Sequence, residues 1–227
     1  MSATTASGFP GHDPYRLGGS HGHGGHGHGH SATGHGEGGQ ASKLVTVAYG
    51  FWIFLLSDII IFATFFAGYA VLSHETAGGP TGSELFDLNR VGIQTFLLLT
   101  SSFTCGLGSL ATYRRDMAWT QIWLFATGLL GAAFLFLEVQ EFVQMVEEGA
   151  GPSRSAFLSA FYAVVGCHGL HVSAGLLWLG TMMAQLFFKG FRPDIERRLL
   201  CFNLFWHALD IVWIAVFTIV YLLGANQ

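Results

Sequence analysis

The chain has 227 residues, of which 51% are hydrophobic, 15% aromatic and only 11% charged, with a formal net charge of −4. Soluble domains carry about 25% charged residues. So few charges do not cover a water-facing surface, which excludes an ordinary soluble domain and points to an integral membrane protein. No basic patch favours nucleic acid, and no GxxxxGK[ST] or GxGxxG motif supports nucleotide binding.

Residues 1–46 differ from the rest. HGHGGHGHGH and its flanks hold seven of the eleven histidines (His12, His21, His23, His26, His28, His30 and His35) among glycines. Such a low-complexity stretch has nothing to bury and is expected to be a disordered tail with incidental affinity for divalent metal. No basic n-region leads into an apolar run at the start, so the first spanning helix is expected to direct insertion itself.

Five apolar segments follow, at about 47–72, 91–113, 118–146, 156–188 and 200–223. Each reaches the roughly 20 residues that cross the hydrocarbon core. Lipid offers no partner for free backbone groups, so each is expected to be a helix. The fold class is therefore all-α: a polytopic bundle of five transmembrane helices, residues 47–227, behind the tail. Gly128, Ala132, Gly169 and Ser173 lie at spacings of four within their helices and are expected to allow close approach. Trp119, near a helix end, suits an interfacial anchor.

Lys and Arg in the short loops set the orientation. Arg16, Lys43, Arg114, Arg115, Lys189, Arg192, Arg197 and Arg198 fall on one side, Arg90 and Arg154 on the other. The N-terminus is expected in the cytoplasm and the C-terminus, after five crossings, in the periplasm.

Seven ionisable side chains lie within the spans: Asp58, Glu138, Glu141, His168, His171, His207 and Asp210. Such groups are costly in lipid and default to a functional hypothesis. EVQE, HGLH and HALD each place a pair at i, i+3, on one face that should turn into the bundle. A rise of about 1.5 Å per residue puts Asp58, His207 and Asp210 near one level. It puts Glu138, Glu141 and His168 higher, so two polar layers are expected.

A di-iron bundle needs Glu-x-x-His on two helices, and that motif is absent. His171 and His207 could in principle clasp a haem. The commoner use of such histidines is an interhelical hydrogen bond, here to Glu141 or to backbone. Asp58 stands alone in FLLSDIIIFATFF. It reads either as a protonated acid giving one hydrogen bond or as a proton-handling carboxyl facing water or a partner subunit. Cys105, Cys167 and Cys201 form no CxxC, so neither a disulfide framework nor a zinc site is indicated. A stand-alone proton-coupled transporter built around Asp58, Glu138 and Asp210 would carry internal repeats and Gly/Pro-broken helices; neither is visible.

FLLSDIIIFATFFAGYAVL, FLFLEVQEF, GCHGLHVSAG and FWHALDIVW occur in this order. Together they resemble subunit III of the haem-copper respiratory oxidases over about residues 48–224. Asp58 stands where many members have Glu, and Glu141 is the characteristic acid of its segment. Five helices in place of the commoner seven, the His-rich tail and the loop AGGPTGSELF resemble the cytochrome-o-type ubiquinol oxidase branch.

The resemblance implies a non-catalytic subunit with no cofactor of its own, haem and copper belonging to subunit I. It implies subunit I as main partner, with subunit II and a small subunit IV, in a complex that oxidises ubiquinol, reduces oxygen and pumps protons across the bacterial inner membrane. The corresponding subunit of a cytochrome c oxidase is the alternative. It further implies bound phospholipid, with Glu141, His168 and His171 near a lipid headgroup and Asp58 near the subunit I interface. His207 and Asp210 would be packing residues, and Glu138 belongs with the lipid-binding or interhelical polar set.

Overall fold

The computed structural model describes residues 43–78, 82 and 86–225. The Gly/His-rich tail expected at 1–46 lies outside the described residues up to residue 42, and the AGGPTGSELF loop does so in part. Among the described residues there are five long helices: α1 Lys43–Leu72, α2 Leu88–Tyr113, α3 Met117–Glu147, α4 Ala156–Lys189 and α5 Pro193–Val216. All five are long and apolar enough to cross a membrane, the last continuing to Leu222.

The starts follow local chemistry. Asp87 caps α2, its carboxylate accepting from the backbone of Asn89 at 3.0 Å. Asp116 caps α3 and Ser155 caps α4 in the same way. Each satisfies an amide that the first turn leaves without a partner. Pro193 opens α5, where its missing N–H costs nothing. This helix begins about two turns before the apolar run at 200, because DIERR is polar yet helix-forming. Its charges are used at the membrane surface, where Arg115 meets Glu196 at 3.2 Å, Arg197 pairs with Asp194, and Arg198 donates to Gln185 at 2.9 Å.

Three residues, Arg114–Asp116, join α2 to α3, and a link this short makes the two antiparallel neighbours. α5 packs against α1, α2 and α4, while α1 touches only α4 and α5 to any extent. α1 accordingly leaves much apolar surface exposed, including Trp52, Ile53, Phe54 and Ile60. In a membrane that face meets lipid or another chain.

A close approach of α3, α4 and α5 centres on Trp206. A Cβ at Gly131 of α3 would fall 2.8 Å from its ring, and one at Gly175 of α4 would fall 2.9 Å from it. Gly169, expected at such a contact, has its nearest neighbour at 3.8 Å, and Ala132 is exposed. Gly128 does meet Leu179, at 3.1 Å. The spacing of four found the right helices but, at Ala132 and Gly169, a face rotated by one residue or more from the tight contact.

α5 ends in a π-helical segment, Phe217–Leu222. The Val220 carbonyl in this segment accepts both from the Leu223 backbone N–H and from the Tyr69 hydroxyl of α1, the latter at 3.1 Å.

Candidate functional site

Three groups of polar residues lie inside the bundle. The first is a belt across α2, α3 and α5. Trp206 Nε1 donates to Ser101 Oγ at 3.1 Å, and Ser101 Oγ donates to the Thr127 carbonyl at 3.0 Å. Thr104 and Thr127 hydroxyls meet at 2.9 Å. Ser102 Oγ lies 3.2 Å from His207 Nδ1, so this half-buried imidazole is held across the α2–α5 interface. Asp210, one turn on, is 9% exposed, and its Oδ1 has no partner. Cys105 donates to Asn203 Oδ1 at 3.3 Å.

The second group lies toward the end that carries the α1–α2 and α3–α4 loops. Glu141 is 6% exposed and accepts from Gln94 Nε2 at 3.1 Å. Glu138 is 2% exposed, and neither carboxyl oxygen has a partner. Tyr221, in the π-helical turn, is fully buried near Glu141, and its hydroxyl has no hydrogen-bond partner among the described residues. Arg90 donates to Gln144 Oε1 at 2.8 Å, and Gln144 donates to Glu148 at 3.0 Å, which completes a polar seam to the loop surface.

His168 adjoins this group but is fully enclosed. Its ring packs on Trp213 at 5.2 Å, Phe134 at 5.9 Å and Phe62 at 6.3 Å, and neither ring nitrogen has a partner. The interhelical hydrogen bond expected of it is replaced by an aromatic box. Trp213 Nε1 itself donates to Thr95 Oγ1 at 3.0 Å.

The third group is small. Asp58 and His171 line a crevice between α1, α4 and α5 together with Leu55, Phe62, Phe205 and Leu209. His171 Nδ1 sits 2.8 Å from the Cys167 carbonyl, so the imidazole bonds to its own helix rather than across to Glu141. The crevice holds about 10 Å³, at the lower limit for one water. Asp58 is half-buried. It shares a level with His207 but lies on the other side of α5, since His207 faces α2.

Glu138, Glu141 and the His168 box thus share one region and His207 and Asp210 another, while Asp58 and His171 line a third. Among the described residues, no group of three or more His, Cys, Asp and Glu side chains converges as a metal site would. Sequence reasoning centred on ionisable groups and passed over the neutral residues Gln94, Ser101, Ser102 and Tyr221 around them. A signal for the first two was present: Gln94, Ser101 and Gly108 recur every seven residues on the buried face of α2.

The family model described as cytochrome c oxidase subunit III matches residues 31–225. Cytochrome bo(3) ubiquinol oxidase subunit 3 of Pseudomonas aeruginosa is 52% identical over 177 residues, covering 78% of this chain and 85% of that protein. Quinol oxidase subunit 3 of Bacillus subtilis is 47% identical over 77% of this chain and 86% of its own length. Cytochrome c oxidase subunit 3 of Bacillus sp. PS3 is 43% identical over 77% and 84% respectively. The family match spans all five membrane helices and every polar group described above, and on that ground the chain belongs to the cytochrome c oxidase subunit III family.

Proposed function

We propose that this chain is the third, non-catalytic subunit of a proton-pumping terminal ubiquinol oxidase in a bacterial inner membrane. In this reading the haems and copper lie in subunit I, and this chain stabilises subunit I, retains phospholipid at its flank and contacts subunit II and a small subunit IV. The supporting observation is similarity: the relatives named for quinol oxidases in Pseudomonas aeruginosa and Bacillus subtilis share 52% and 47% of aligned residues with it.

A packing role suits Glu141 and His168, which protein encloses. Asp58 and His171, both half-buried beside the exposed face of α1, are the residues open to a lipid headgroup or to subunit I. In this reading the N-terminus lies in the cytoplasm and the C-terminus in the periplasm, which the distribution of loop Lys and Arg supports.

The relative named for a cytochrome c oxidase, at 43% identity, supports a second reading in which the donor is cytochrome c. Mass spectrometry of the intact complex separates the two. A subunit II without copper, co-isolated with haem-bearing subunit I and phospholipid, is expected. A copper-bearing subunit II transfers the chain to the cytochrome c branch, and a colourless lone polypeptide overturns both readings.

A further inference from the structure

Glu138 and Glu141 form the most enclosed acidic pair among the described residues, at 2% and 6% exposure on one face of α3. Neither takes part in a salt bridge with a described residue. The ion pairs, Arg115–Glu196 and Arg197–Asp194, lie at the opposite end of the bundle. The titratable groups around the acids come from every packed helix. Arg90 and Asp87 face them from α2, Tyr162 from α4 and Tyr221 from the end of α5, with Tyr69 of α1 behind Tyr221. His168 packs on Phe134, one turn from Glu138. Of these only Arg90 is a fixed cation, and its guanidinium is engaged by Gln144 at the loop end.

An unpaired ionised carboxylate taken out of water costs far more than a neutral acid. Two such charges one turn apart cannot both persist in a dry interior, so the pair keeps a proton and titrates as one unit. Its two members are not equivalent. Gln94 donates to Glu141, which suits the ionised form, whereas Glu138 has no donor and suits the neutral form. Water is near along the helix: Gln144, one turn from Glu141, and Glu148 are exposed at the loop end. Glu148, Gln144, Glu141 and Glu138 descend α3 at successive spacings of four, three and three, and Arg90 and Gln94 descend α2 beside them.

We propose that Glu138 and Glu141 form a proton-binding site that exchanges with water at the α1–α2 and α3–α4 loop end of the bundle. The proton arrives from water, sits as the O–H of one carboxyl, and returns the same way. No other bond is made or broken. The site needs only the subunit fold and not the identity of the electron donor, although the orientation proposed above makes its water periplasmic.

Infrared difference spectroscopy of the complete complex in detergent, stepped in pH, tests this. A carboxylic C=O band is expected that falls as pH rises, shifts in D₂O and is lost in both Glu138→Gln and Glu141→Gln. In Gln94→Leu, which leaves both acids in place, the same band is expected to move because Glu141 loses its donor. A band untouched by all three substitutions overturns the proposal, and so does one that neither titrates nor exchanges. If the glutamine variants fail to assemble, Gln94→Leu alone decides: an unmoved band refutes the site.

Discussion

Gly131→Ala and Gly175→Ala test the central packing contact. An alanine Cβ at 131 would lie 2.8 and 2.9 Å from Cζ2 and Cη2 of Trp206, and one at 175 would lie 2.9 Å from Cζ3 and 3.1 Å from Phe205 Cε1. Both substitutions press on the same six-membered ring. That ring has little room to withdraw: Trp206 is 2% exposed, and its Nε1 is tied to Ser101. Overpacking of a close-packed interior costs about 1–3 kcal/mol, and the better helix propensity of alanine returns at most about 1 kcal/mol. Each variant should therefore lose about 1–2 kcal/mol. By the scaling for domains of this size, about 2–4 °C per kcal/mol, thermal release of the subunit from the purified complex should fall by about 2–8 °C. Gly166→Ala and Gly169→Ala are the controls, since their nearest neighbours stand at 3.8 Å and an alanine fits. Trp206→Phe in the Gly131→Ala background should recover part of the loss. If Gly131→Ala and Gly175→Ala release no earlier than the controls, the indole is not a rigid wedge and the reasoning fails.

Ser101→Ala leaves the buried Trp206 Nε1–H without its acceptor, and the same release assay should show a loss of about 1–3 kcal/mol. His168→Leu should be neutral or mildly stabilising, because it removes a buried imidazole whose two nitrogens have no partner; a loss above about 2 kcal/mol would reveal a partner that the geometry does not contain. Asp87→Ala removes the α2 cap and should cost about 0.5–2 kcal/mol, visible as faster amide hydrogen exchange at Asn89 and Arg90. Asp58→Asn should leave assembly intact and lower proton pumping; unchanged pumping and turnover would remove Asp58 from any protonic role.

Hydropathy made the helices legible because a membrane span must satisfy its own backbone, and twenty apolar residues have few other options. It failed at the start of α5 for the same reason that it worked elsewhere. Residues 193–199 form a helix without being apolar, and a rule built on lipid solvation does not register a helix that water and ion pairs support. The i, i+3 pairs showed which side of each helix turns inward, and depth along the axis separated the glutamates from His207 and Asp210. What depth cannot give is azimuth. Asp58 and His207 share a level yet lie on different sides of α5, and only the packing of α1 against α4 and α5 separates them.

The pairing of each buried group was the least legible layer. His171 satisfies itself on the carbonyl four residues back, a bond open to it in any helix and therefore silent about neighbours. Tyr221 is a sharper case. Projected as a continuous α-helix from His207 and Asp210, it would be assigned to a face by steps of 3.6 residues per turn. The π-helical turn at 217–222 shifts that register, and the side chain ends fully buried. Nothing in FTIVYL announces such a turn. The turn is supported by contacts from other helices, such as Tyr69 on the Val220 carbonyl, so its position is a property of the packed bundle rather than of the segment.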